Sequence, residues 1–332
     1  MAVSLPDRPA VTTPAAGSAR QPYVGLKGLL LVVPVAALLA YGAGGPESSL
    51  RILGPLVTFA LPAVAMVAFW WEDWPGSSLR PGWSGLVDTI FVAALAVVLA
   101  AVGLLVVEGW DPGGVFAGRA FPETMPLGAA GFVAMLQLTL VTEGWPLRRY
   151  NRFAAGLAAL ALSWAVALAV YATGVHRRPW FGAFLILVGV WQVWWFVVWR
   201  GWPLTGIHAK AVRLVAGNAV VLCGAALTWL LVGEVGGVEP GVVGAVGGSF
   251  VAAGLVVAML FEGWLTSYPA ALAMTAAVTV AIYALVTLAA GVATWTRAEP
   301  EAWVAHATLN AIGVSVILHV AIGRRFPFGD TA

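Results

Sequence analysis

The stretch LTLVTEGWPLRRYNRF, residues 138–153, ends an apolar run with a Glu, a Gly, a Trp and a Pro and then continues into several arginines. Similar phrases are FWWEDWP at 69–75, VVWRGWP at 197–203, LFEGWL at 260–265 and IGRRFPF at 322–328. Trp prefers the membrane–water interface, Gly and Pro end helices, and Arg is retained in the cytoplasm. The phrase therefore predicts the cytoplasmic end of a membrane helix, written five times along the chain.

Composition assigns the protein to the membrane. Of 332 residues, 61% are hydrophobic and 10% are charged, and the mean hydropathy is +0.92. A soluble domain has about 25% charged residues. The net charge of +2 and the lack of a basic cluster interleaved with aromatics predict no nucleic-acid partner. We expect a multi-pass protein of the cell membrane whose first partner is the lipid bilayer.

The apolar segments predict an all-α bundle of about ten transmembrane helices, since a spanning helix needs about 20 apolar residues. Breaks rich in Pro, Gly and charge separate the segments. The predicted spans are 25–44, 50–71, 86–108, 126–144, 151–174, 180–200, 211–234, 241–262, 269–294 and 302–323. Residues 1–24 read as a disordered cytoplasmic tail, 25–325 as one transmembrane domain and 326–332 as a short cytoplasmic tail.

Charge distribution orients the predicted bundle. Ten spans place both termini on one side of the membrane. If that side is cytoplasmic, only five of the 17 Lys and Arg residues face outward, at positions 51, 119, 177, 178 and 297. Because cytoplasmic loops carry an excess of Lys and Arg, both termini are predicted to be cytoplasmic.

The recurrence of the phrase after each even-numbered span predicts five repeated helix pairs. Trp, Gly, Pro and Arg are accounted for by the helix end, but the acidic residues are not, because a Glu there meets the negative end of the helix dipole. Glu72, Glu143 and Glu262 stand two residues before the Trp, and Arg200 takes this place in the third copy. Two interpretations stay open: structural ion pairs to loop arginines, or a cytoplasmic rim that gates or attracts a polar solute.

Polar residues within spans are the candidate substrate pathway, because such residues are costly in lipid. Gln137, Gln192 and Asn218 are the clearest amides, and the last span carries His306 and Asn310 four residues apart on one helix face. The alternative for each is hydrogen bonding between helices, which is common in membrane bundles.

The sixth span carries a stripe of tryptophans at one helical face. Trp191 and Trp194 lie deeper than an interface belt would place them. They are either packed against small residues of neighbouring helices or form an apolar wall of a substrate pathway.

No cofactor and no metal site are predicted. His306 and His319 share one span and lie about 20 Å apart by helical rise, so they cannot both ligate one haem iron. Cys223 is the lone cysteine, and the chain contains neither HExxH nor a GxxxxGK[ST] phosphate loop.

The favoured function is a transporter or channel-like permease for a small or apolar solute, since many spans and short loops accompany no catalytic motif. In layout the chain resembles two groups of ten-span carriers, the tellurite-resistance/dicarboxylate channels and the drug/metabolite exporters, and the helix-pair period fits the first better. The alternatives are a membrane scaffold or partner subunit, and a lipid-handling enzyme that uses the acidic layer of Glu72, Asp73, Glu143 and Glu262.

Overall fold

The structure, a computed structural model, describes residues 21–80, 82–109 and 122–328. Every regular element in these ranges is helical, and six of the helices end in wider, π-helical segments. The elements are α1 (Tyr23–Tyr41), α2 (Pro46–Ala65, then Met66–Trp70), α3 (Trp83–Val107), α4 (Met125–Leu136, then Gln137–Val141), α5 (Arg152–Ala172), α6 (Trp180–Gln192, then Val193–Val198), α7 (Lys210–Trp229, then Leu230–Val235), α8 (Pro240–Leu255, then Val256–Leu260), α9 (Tyr268–Gly291) and α10 (Pro300–Ala305, His306–Ile312, Gly313–Ile317 and Leu318–Ile322).

Across the described ranges, nine helices are long and apolar enough to cross a membrane, and α4 with its π-helical end is a tenth, shorter apolar helix. The protein therefore has the architecture of a multi-pass helical membrane protein. The helix α1 accommodates Pro34 and begins at Tyr23, just within the predicted tail of 1–24. Residues 1–20 and 329–332 of the predicted tails lie outside the described residues.

The even-numbered helices form an inner ring. The helices α2, α4, α6, α8 and α10 contact one another in this order, and α10 also contacts α2. The most apolar stretch is 67% buried in α2, 72% in α8 and 61% in α10, whereas the odd-numbered helices are between 17% and 33% buried. The odd-numbered helices thus form an outer layer whose remaining surface suits lipid.

Each outer helix packs on the inner ring. The helix α3 packs against α2 and the last residues of α10, α5 against α4 and α2, α7 against α6 and α4, α9 against α8 and α10, and α1 against α10 and α2. Glycines allow the close approach: a Cβ on Gly224 of α7 would lie 2.5 Å from the Trp191 ring, and one on Gly85 of α3 would lie 2.8 Å from Gly323 Cα.

A similar backbone turn follows each inner helix. In the second turn Glu143 and Gly144 both have positive φ, Gly144 N donates to Leu138 O at 2.8 Å, and the Trp145–Pro146 peptide is cis. The first, third and fifth turns share the two consecutive left-handed residues and the cis proline. The fourth turn has one left-handed residue, Gly263, and Leu265 where the others have proline. We call the end of the bundle formed by these turns the turn end.

Candidate functional site

A cavity of about 430 Å³ lies inside the inner ring, lined by side chains from all five inner helices. Its lining on α6 runs from Gly182 to Val197, which is about 22 Å of helical rise, and continues at Arg200 in the turn that follows. The hydrocarbon core of a bilayer is about 30 Å thick. The cavity, called the axial cavity below, therefore extends along most of the depth of the bundle.

The wall of the axial cavity is mainly apolar. Phe69, Phe132 and Phe196 contribute aromatic rings, and most of the remaining lining is aliphatic. Polar side chains occur at two levels. Thr58, His306 and Asn310 line the middle of the cavity, and Arg200 and Glu262 line its turn end.

Two glycines of α6 leave open space beside the wall. A Cβ placed on Gly182 or on Gly189 would have no atom within 4 Å. Both glycines line the axial cavity. They are seven residues apart and hence on the same helix face, so side chains introduced there would begin in open space beside the cavity.

The mid-depth polar residues are hydrogen-bonded to one another and are almost completely buried. Asn310 Nδ2 donates to Thr58 Oγ1 at 3.1 Å and lies 3.4 Å from His306 Nδ1. His306 Nε2 lies 3.2 Å from Leu39 O, and the Thr58 hydroxyl donates to Gly54 O at 2.8 Å. This polar cluster joins α1, α2 and α10. His306 and Asn310 belong to a π-helical segment of α10, a local geometry frequent at functional sites.

Ion pairs connect the five turns in a closed circuit at the turn end. Each pair joins a turn to the next turn in chain order, or to the helix that follows the next turn, and the last joins the fifth turn to the first. The pairs are Glu72–Arg152 at 2.7 Å, Glu143–Arg213 at 2.6 Å, Arg200–Glu262 at 3.7 Å, Glu262–Arg325 at 3.2 Å and Arg324–Asp73 at 3.3 Å. The basic residue at position 200 thus has an acidic partner in the fourth turn.

Two carboxylates of this circuit have shifted pKa values of opposite direction. Hydrogen bonds from Arg213 lower the pKa of Glu143 below its ordinary value, against a smaller opposing effect of burial. Burial raises the pKa of Asp73, and the nearby Arg324 only partly offsets that effect. The surroundings of Glu143 therefore favour its charged form, whereas the surroundings of Asp73 favour its neutral form.

Three predicted pathway amides do not line the axial cavity: Gln137, Gln192 and Asn218. Gln192 Nε2 donates to Gln137 Oε1 at 2.7 Å and to Val133 O at 3.1 Å, and Gln137 Nε2 donates to Asn218 Oδ1 at 2.9 Å. Asn218 Nδ2 in turn donates to Leu214 O. The three amides form a hydrogen-bonded chain across α6, α4 and α7, an arrangement that ties helices together.

The tryptophan stripe of α6 lies on a different face from the cavity-lining residues. Trp191 packs on Gly224 of α7, and its Nε1 donates to Thr228 Oγ1 at 3.1 Å. Ring contacts continue from Trp191 to Trp194 at 5.0 Å and from Trp194 to Trp199 at 5.2 Å. These rings fill space between helices and do not form the cavity wall.

Sequence reasoning selected His306, Asn310, Arg200 and Glu262, which line the axial cavity, but it missed Thr58 and the two open glycines. The seven-residue spacing of Gly182 and Gly189 in a helix otherwise rich in bulky residues was the available signal. Thr58 gave no comparable signal, because a single hydroxyl within an apolar span is also explained by a hydrogen bond to its own helix.

Within the described ranges, no three His, Cys, Asp or Glu residues come together as a metal-binding group. Comparisons with protein families, with curated proteins and with solved structures give no match.

Proposed function

We propose that the protein is a permease in which a small neutral solute crosses the membrane through the axial cavity. The observation that carries this proposal is a cavity lined by all five inner helices, along most of the length of α4, α6 and α10. Ligand sites in helical membrane proteins lie between helices, and a pore needs a lining contributed from several sides. A scaffold would be served as well by a closed, densely packed centre.

We further propose that the five helix-turn units are copies of one unit arranged around the cavity. The similar turn geometry and the circuit of ion pairs support this arrangement. With ten spans, both termini lie on one side of the membrane. The excess of Lys and Arg at the turn end supports a cytoplasmic location for that end and for both termini.

The charge of the cavity wall favours passive permeation. Among described residues, Arg200 and Glu262 are the charged side chains that line the cavity, and both lie at the turn end. The buried Asp88 belongs to α3 in the outer layer and accepts a hydrogen bond from Gly76 N. Coupling to a proton or sodium gradient usually uses a carboxylate inside the membrane along the solute path, and the described wall offers none at mid-depth.

A glycine substitution can test this proposal. Gly189→Trp fills the cavity from a position where the added Cβ has no atom within 4 Å and the ring can extend into the cavity, so the fold is expected to persist. Gly291→Trp is the matched control, because Gly291 is also open but lies at the end of α9 on the outside. Uptake of a small neutral amide into proteoliposomes, followed by stopped-flow light scattering, measures permeation.

We expect Gly189→Trp to reduce uptake to the level of protein-free liposomes while Gly291→Trp keeps the wild-type rate. Equal uptake with the two variants and with empty liposomes would contradict a permease and favour the scaffold. Size-exclusion profiles of the purified variants control for folding.

A further inference from the structure

The amide of Asn310 has a fixed orientation in the axial cavity. The Thr58 hydroxyl donates its hydrogen to Gly54 O, so Thr58 Oγ1 can only accept at Asn310. An acceptor at 3.1 Å requires the amide nitrogen of Asn310 on that side. The amide oxygen, Oδ1, must therefore point the other way.

The hydrogen bonds of His306 independently support the same orientation of the Asn310 amide. Leu39 O is a carbonyl and can only accept, so the hydrogen of the neutral imidazole lies on Nε2. His306 Nδ1 is then an acceptor, and it faces Asn310 Nδ2 at 3.4 Å. Both hydrogens of the Asn310 amide group are directed at acceptors, which leaves its oxygen as the unused polar atom of the cluster.

No described residue donates a hydrogen bond to Asn310 Oδ1. Asn310 lines the axial cavity, and only 3% of its surface is exposed. Thr58 and His306 have no free hydrogen to offer, since each is committed to a backbone carbonyl. Asn310 Oδ1 is also not among the described side-chain atoms that are both closed off from solvent and without a partner. This unpaired oxygen is therefore reached from the axial cavity, which is the space in which a donor can lie.

Building on the proposed function, we propose that Asn310 Oδ1 is the selectivity element of the axial cavity. It selects small uncharged molecules that carry an N–H or O–H donor on a compact apolar body, such as primary amides and short alcohols. The donor binds Asn310 Oδ1, and the apolar wall receives the rest of the molecule.

The same geometry disfavours ions. An anion would need donors, but the hydrogens of Asn310, Thr58 and His306 are already used within the protein. A cation would exchange its hydration shell for a single neutral oxygen, whereas protein cation sites supply several oxygen ligands. A fully apolar molecule would enter but would leave Asn310 Oδ1 unpaired.

Two isomeric amides separate the effect of a hydrogen-bond donor on permeation from the effect of molecular size. Butyramide has two N–H groups, and N,N-dimethylacetamide has the same atoms and none. The measured quantity is the permeability of proteoliposomes minus that of protein-free liposomes. We expect this difference to be about tenfold larger for butyramide, the factor that corresponds to about 1.4 kcal/mol and to the upper end of the net value of one hydrogen bond. Asn310→Leu should make the two amides equal.

A second readout observes the wild-type cluster directly. The chain has three asparagines, Asn151, Asn218 and Asn310, so selective ¹³C labelling gives three side-chain carbonyl signals. Butyramide should shift the Asn310 signal, assigned with Asn310→Leu or, if that variant does not fold, by elimination with Asn151→Ser and Asn218→Ser. N,N-dimethylacetamide should leave the signal in place.

The outcomes distinguish this inference from the proposed function. A wild-type protein whose permeability is not reduced by Gly189→Trp, for either amide, would contradict the permease. Permeability that is sensitive to Gly189→Trp but equal for both amides, with an unmoved Asn310 carbonyl signal, would overturn the selectivity inference and leave the permease intact. A roughly tenfold preference together with a butyramide-specific shift at Asn310 would support both.

Discussion

The guanidinium of Arg213 donates two hydrogen bonds to the carboxylate of Glu143, from Nε at 2.6 Å and from Nη2 at 3.0 Å. Glu143 belongs to the turn after α4, and Arg213 lies in α7 after the next turn. The pair joins the second turn to the helix that follows the third turn, and it offsets the unfavourable position of an acidic residue at a helix C-terminus. Its bidentate geometry is the strongest form of such a pair, although both side chains are partly exposed.

We predict that Glu143→Gln lowers the stability of the folded protein at pH 7. Because the folded pKa of Glu143 is lowered, its contribution is present above the unfolded value near 4.5 and is lost as the pH falls through the folded pKa. A double-mutant cycle with Arg213→Gln should give a coupling of about 0.5–1 kcal/mol at pH 7. Thermal unfolding in detergent at several pH values measures it, and a coupling that does not change down to pH 3 would contradict the assignment.

Asp73→Asn is predicted to change the stability of the folded protein at pH 7 in the opposite direction from Glu143→Gln. Burial raises the folded pKa of Asp73, so its contribution to stability is complete below the unfolded pKa and is lost as the pH rises through the folded pKa. At pH 7 the neutral Asn removes a poorly solvated charge, and Asn tolerates the positive φ of 58° at this position. We expect a melting temperature equal to or above that of the wild type. A clear decrease at pH 7 would mean that the pair with Arg324 outweighs the cost of burial.

The turn conformation predicts a difference between two nearby glycines. Gly201 has a φ of 82°, where an L side chain is strained, whereas Gly206, five residues on in the same loop, is not in the left-handed region. Gly201→Ala should cost about 1–2 kcal/mol in unfolding free energy. Gly206→Ala, where a Cβ would meet open space, should cost little. Equal effects in chemical denaturation would count against this turn geometry.

Gln137→Leu should separate stability from permeation. Gln137 is the middle member of the amide chain, so its loss leaves Asn218 Oδ1 without its donor. Hydrogen bonds between membrane helices are worth about 0.6 kcal/mol on average and up to about 1.7. We expect a loss of about 1–2 kcal/mol and an unchanged uptake rate per folded molecule. If a stable Gln137→Leu variant specifically loses uptake, Gln137 contributes to the solute path and this prediction is wrong.

The positions of the helices and turns could be predicted from sequence because the membrane imposes strong local rules. An apolar segment of the right length has to be helical in lipid, and Gly and Pro beside Trp145 show where α4 ends. Ion pairs between the acidic residues of the turns, such as Glu143, and loop arginines were also one of the two interpretations that the sequence allowed. In the structure Glu72 and Glu143 form ion pairs, and Arg200 and Glu262 both form ion pairs and line the turn end of the axial cavity.

The direction in which an intramembrane side chain points could not be predicted. In a soluble helix the polar face marks the outside, but inner and outer faces of a membrane helix are both apolar. Gln192 and Asn310 therefore looked equivalent in the sequence. The structure buries Gln192 against α4 and places Asn310 on the axial cavity, and only the packing of five helices makes that difference.

Passage of solute through the axial cavity is tested most directly by blocking one position reversibly. Cys223 is the lone cysteine, so Cys223→Ser combined with Gly189→Cys carries a single thiol beside the cavity. Amide uptake is measured in one proteoliposome sample before treatment, after benzyl methanethiosulfonate and after dithiothreitol, with Gly291→Cys as control. We predict that modification at 189 abolishes protein-dependent uptake, that reduction restores it, and that modification at 291 has no effect. Complete modification at 189, verified by mass spectrometry, with unchanged uptake would contradict a solute path through the axial cavity.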